Sequence, residues 1–171
     1  MTILLNHPVL LAVLILSFFA TVLAYRAPFF VSDNLVISQE LNLGTFCGTL
    51  THKDWGHWVG NVILLIPFWI YLDNKLGKAF VIIVVLFNMF STGLYGLLSS
   101  QSLCGLSGIV FMLIGIAGIV GNWLFFFFAV IMFGQEFCLL GDKDETCHGA
   151  HIVFFILGIV IGLLKIILPL F

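Results

Sequence analysis

Residues 51–69 read THKDWGHWVGNVILLIPFW, two histidines and an asparagine at the mouth of a long apolar run. Such a run crosses lipid as a helix, because backbone N–H and C=O groups removed from water must be satisfied within their own segment. In helical register His57 and Asn61 stand at i and i+4 on one face, with His52 about 140° around from His57 if the helix reaches it. Lipid satisfies none of these groups. A face that carries them turns toward protein or a wet cavity.

The rest of the chain has the same character. Its 171 residues are 62% hydrophobic and 8% charged, with 19 phenylalanines, against about 45–50% apolar and about 25% charged in soluble domains. The expected class is an all-α integral membrane protein. A crossing helix needs roughly 20 apolar residues, and breaks in hydrophobicity mark six spans at 8–25, 55–72, 79–98, 107–121, 123–140 and 148–168. Connections between them are too brief for a soluble domain, so 1–171 reads as one membrane domain. No internal repeat is evident. The first span, Pro8 to Tyr25, is preceded by no Lys or Arg and has a poor cleavage pattern, so it reads as a retained helix rather than a signal peptide.

A net charge of −2 leaves no basic patch for nucleic acid and no polybasic lipid-binding segment. With the N-terminus inside, Lys75, Lys78 and Lys165 fall on one side and Arg26, Lys53 and Lys143 on the other, a tie that sets no orientation. Cys47, Cys104, Cys138 and Cys147 lack C-x-x-C spacing and read as small buried hydrophobes, with pairing of Cys138 and Cys147 a minor alternative. Between the first two spans runs the longest polar connection, Arg26 to Asp54, whose pieces LVI and TFCGTL are apolar enough to sit in the interface.

The fourth span is too short. About 15 residues at 1.5 Å rise reach roughly 22 Å, against a hydrocarbon core of about 30 Å. The preceding LLSSQSLCG (97–105) must therefore dip inward under protein cover, which submerges Ser107 at a helix N-terminus. In CGLSGIVF (104–111) Gly105 and Gly108 bracket that serine and permit close backbone approach, and its own N–H is an unpaired first-turn donor. A small-residue packing face is the plainer reading of the same glycines. In CHGAHIVFFILGIVIG (147–162) His151 opens the last span, with Gly158 and Gly162 on its face as a stripe for close helix approach; if span 4 is the neighbour, His151 reaches Ser107. His148 reads as a solvated or capping histidine. A metal site is the lesser option, because H-x-x-x-H spacing is absent and no acid within the spans is expected to join the histidines.

Among the remaining polar and aromatic features, Asn88, Ser91 and Thr92 are expected to bond between helices. Trp55, Trp58 and Trp123 read as interfacial anchors, the FFFFA run at 125–129 as lipid-facing bulk, and the loop from Asp142 to Glu145 as solvated.

Taken together, H-x4-H-x3-N, then G-x-S-G, then A-H at the start of the last of six helices resembles the rhomboid intramembrane serine proteases over spans 2 to 6. The resemblance implies a compact six-helix rhomboid-like bundle and a Ser–His dyad without an acid, Ser107 as nucleophile and His151 as general base. It further implies an oxyanion hole from His57, Asn61 and the Ser107 N–H, with His52, Gly105 and Gly108 as supporting motif residues. Phe111 falls where bacterial relatives often place a tyrosine beneath the imidazole. Asp73 and Gly77 resemble the acid and glycine of the tight turn after helix 2. With no acid, a hydrogen bond to the second ring nitrogen is needed to fix the His151 tautomer. Two positions depart from the family pattern: Leu43 and Gly44 replace a Trp-Arg pair, and Phe154 stands where relatives carry glycine, a bulk expected to space helices 4 and 6. The implied partners are transmembrane protein substrates and the lipid bilayer, with no cofactor or metal, in a prokaryotic cytoplasmic membrane. A catalytically silent rhomboid-like protein that binds membrane clients, and a metal or solute transporter using His52, His57 and His148, are the alternatives.

Overall fold

The computed structural model describes residues 2–99, 102–140 and 147–168, and these are helical apart from turns and loops. In chain order the helices are α1 (Thr2–Leu5), α2 (Pro8–Arg26), α3 (Pro28–Asn34), α4 (Gly44–Cys47) with a 3₁₀ turn at Gly48–Leu50, α5 (Trp55–Leu76), α6 (Lys78–Leu98), α7 (Ser107–Val120), α8 (Trp123–Cys138) and α9 (His148–Ile167). Four of them, α2, α5, α6 and α9, are long and apolar enough to cross a membrane, which makes this a multi-pass membrane protein. At 14 and 16 residues, α7 and α8 are shorter.

Local chemistry sets the boundaries. Pro8 and Pro28 each open a helix, where a missing N–H costs nothing. The Asp54 carboxylate caps α5 by accepting the His57 N–H at 2.7 Å. Gly77, at φ 92°, makes the one-residue turn into α6 that a Cβ would strain. The break at Gly121 and Asn122 is also a cap, since the Asn122 side chain accepts from the N–H groups of Leu124 and Phe125.

The chain divides into two compact units, Met1–Ser107 and Gly108–Phe171. Within the first, α2 packs on α5, and both α5 and α4 pack on α6. The apolar pieces of the long connection fold inward: LVI places Ile37 in the core, and TFCGTL forms α4 and the 3₁₀ turn. Close approach to α6 depends on Gly93, where a Cβ would collide with the Thr45 carbonyl, and on Gly96, where it would strike Ile37. Ile37 and Leu103 exchange both backbone hydrogen bonds at 2.9 Å. Asp73 accepts from His7 Nδ1 at 2.6 Å, tying the entry of α2 to the last turn of α5. Trp55 is partly exposed. Trp58 differs from its expected role, because its Nε1–H donates to Ser17 Oγ on α2 at 3.1 Å. Thr92 also departs from expectation: its hydroxyl bonds back to the Asn88 carbonyl at 2.8 Å, within one helix.

In the second unit Trp123, Phe126 and Phe127 are exposed, consistent with a lipid-facing edge. The glycine stripe of α9 meets α7. A Cβ on Gly158 would collide with the Met112 carbonyl, one on Gly115 with the Phe155 carbonyl, and one on Gly162 would press on Ile119. Phe154 is buried in this unit at 2% exposure. The expected spacing of the two helices by its bulk is not seen, because the contact is made one turn further along α9, at Gly158. All four cysteines are free thiols. The acidic loop from Asp142 to Glu145 lies outside the described residues.

Candidate active site

Two clusters, one in each unit, carry the polar residues singled out above. In the first, His52 is fully buried and its Nε2 accepts the Leu106 N–H at 3.1 Å. That role requires a bare nitrogen. Burial, and then the neighbouring His57 ring, push His52 down to about 3, so it is neutral at ordinary pH. Its Nδ1 faces Thr21 Oγ1 at 3.4 Å. His52 therefore does not cap α5, which Asp54 does; it clamps the chain just before α7.

Next to it, Gly105 has φ 101°, and a Cβ there would lie 2.9 Å from His57 Cε1 and 3.4 Å from His52 Cδ2. No side chain fits, on backbone and on steric grounds. The rings of His52 and His57 meet edge to face at 5.3 Å. Ser107 follows as the first residue of α7, 8% exposed, and Gly105 through Ala117 are all buried, Gly108 included. The short helix thus has its protein cover. Its first-turn amides, that of Ser107 among them, have no intrahelical acceptor.

Asn61 lies one turn along α5 from His57. It is 7% exposed, and its Nδ2 has no hydrogen-bond partner among the described residues. A buried donor left unsatisfied costs about 1–3 kcal/mol. Thr49 Oγ1 and Asn88 Nδ2 share that state, and Asn61 is set apart from them by its place one turn from His57.

The second cluster is built on His151. Phe111 stacks on its ring at 4.4 Å between centroids and 16° between planes, the position expected for the residue beneath the imidazole. Here the sequence-based expectation of a histidine without an acid is overturned. Glu136 of α8 is 5% exposed, and its Oε2 accepts from His151 Nδ1 at 2.8 Å and from His148 Nδ1 at 2.7 Å. His148 is accordingly buried and bonded, not solvated. The cluster also corrects the premise against a metal, since Glu136, His148 and His151 offer ligand atoms all within 4.8 Å of one another. Two histidines and a carboxylate form a zinc-type donor set.

Neither a protein-family model nor a curated protein sequence matches the chain.

Sequence reasoning passed over Glu136, His7, Ser17 and Thr21. For Glu136 a signal existed, an acid inside an apolar span, which marks function by default. For the other three there was none, because their partners lie 31 to 66 residues away.

Proposed function

We propose that the protein is an intramembrane serine endopeptidase that cleaves transmembrane segments of other membrane proteins, with Ser107 as nucleophile and His151 as general base, in a six-crossing rhomboid-like fold. The observation that carries this reading is the unspent amide of Asn61, held one turn from His57 in a cluster that also includes the Gly105–Ser107 turn. A tetrahedral oxyanion needs preplaced donors, and donors fixed in a dry site cost no reorganisation when charge develops.

The chemistry follows from these groups. His151 Nε2 takes the Ser107 hydroxyl proton as Oγ attacks the scissile carbonyl. The oxyanion is met by the Ser107 N–H, the Asn61 amide and His57. On collapse the peptide C–N bond breaks, the amine leaves with the proton from His151, and an acyl ester remains on Ser107. Water, deprotonated by the same imidazole, hydrolyses that ester. A peptide bond inside an intact helix is closed to attack, so substrates are helices that unwind readily, with small residues near the cut. The proposed setting is a prokaryotic cytoplasmic membrane.

The test is cleavage of a transmembrane reporter, together with labelling by a fluorophosphonate. Ser107→Ala and His151→Ala are expected to abolish both while the purified protein stays folded. Undiminished cleavage by Ser107→Ala rejects the assignment, and a folded wild type that never labels favours the client-binding alternative.

A further inference from the structure

The Glu136 carboxylate gives the second cluster a function beyond a base stacked on a phenylalanine. Residues 148 and 151 are three apart on α9, so their side chains share one face, and that face meets α8 at Glu136. Both rings direct Nδ1 to the same carboxylate oxygen. A carboxylate oxygen that accepts an N–H holds the imidazole proton on Nδ1 and leaves the lone pair on Nε2, the form a general base requires. Phe111 fixes the plane of the His151 ring, and Glu136 fixes its rotation and tautomer.

We propose that Glu136 is the positioning acid of His151, and that His148, bonded to the same oxygen, holds that acid in place. This inference rests on the protease reading above and deepens it, turning a dyad into a relay of serine, imidazole and carboxylate anchored by a second imidazole. In the step it serves, the Ser107 proton moves to His151 Nε2, the Nδ1 proton stays in its bond to Glu136, and the carboxylate stabilises the imidazolium until the leaving amine takes the proton. Glu136 itself takes up no proton. A plain helix pin between α8 and α9 is the competing explanation. An apolar contact would pin the helices without the cost of burying an acid between them, which favours a catalytic use.

The experiment uses the full chain, purified in detergent, as wild type and as Ser107→Ala, Glu136→Gln, Glu136→Asp and Glu136→Ala. Fluorophosphonate labelling, kcat and KM on a transmembrane reporter, the histidine tautomers by nitrogen-15 NMR, and bound zinc are measured on each. Glu136→Gln keeps an acceptor for Nδ1 but loses the charge, so kcat is expected to fall about 10²- to 10⁴-fold with KM within about threefold. Glu136→Asp should recover part of that loss. Glu136→Ala should also shift His151 from the Nδ1–H toward the Nε2–H tautomer, and the discriminating readout is kcat falling at unchanged KM in the folded Glu136→Gln protein, which a mere helix pin would not produce.

Wild-type kcat in Glu136→Gln, with Ser107→Ala inactive, overturns the role of Glu136 and leaves the protease reading standing. Absence of any Ser107-dependent labelling in the wild type overturns that reading, and this inference with it. Stoichiometric zinc in the wild type that is lost in Glu136→Gln assigns the carboxylate to a metal and likewise overturns the proposal. Should Glu136→Ala fail to fold, the near-isosteric Gln and the Asp variants decide the question.

Discussion

The two units treat buried polar atoms in opposite ways. In the first, Asn61 Nδ2 and Asn88 Nδ2 are sealed from solvent with no partner among the described residues. In the second, the buried polar atoms of the described residues are spoken for, and one carboxylate oxygen takes two imidazoles. The first unit carries a cost in stability at these donors. The second spends its acid internally, to set the state of a ring.

Asn61→Leu breaks this contrast most sharply. It removes the idle donor and should lower kcat about 10²- to 10³-fold. Because the amide had no partner, stability should hold or rise. Turnover and melting temperature, measured on the same preparation, check the opposed signs; a stability loss as large as the activity loss would make Asn61 an ordinary structural residue.

Gly158→Ala tests the second unit, where the buried polar atoms of the described residues are bonded and packing dominates. The added Cβ meets the Met112 backbone carbonyl, which has no rotamer to give. Overpacking of this kind costs about 1–3 kcal/mol, and the melting temperature should fall, with activity following because His151 and Phe111 ride on the same two helices.

A pH dependence returns the test to the first unit. His52 sits at about 3 in the folded protein, against about 6.5 in an unfolded chain. Between those values the unfolded chain binds a proton that the folded one refuses, so stability is complete above about 6.5 and declines as pH falls toward 3. His52→Gln, whose amide oxygen can still accept from Leu106, should flatten that decline in thermal unfolding between pH 7 and 4.

Much of this was legible in the sequence. The helices were placed within a few residues, except that α5 runs on to Leu76, and four of the six are long and apolar enough to cross a membrane. His52, His57 and Gly105 declared themselves through spacing, and the structure gathers them. The partners of those residues did not. Trp58 resembled an interfacial anchor because nothing in sequence shows Ser17 across from its indole. His148 resembled a capping residue because its acid lies across a loop, and Glu136 was missed although an acid in an apolar helix is informative alone. Periodicity describes the face of one helix; pairing between helices depends on rotation about both axes, which no local pattern encodes.

One further consequence follows from the exchange of backbone hydrogen bonds between Ile37 and Leu103. Leu103 lies four residues ahead of Ser107, and Ile37 belongs to the long connection after α2. Any outward swing of that connection must either rupture both bonds or drag the backbone ahead of Ser107 with it. The long connection and the turn into α7 are thereby fastened together at one point, four residues ahead of Ser107.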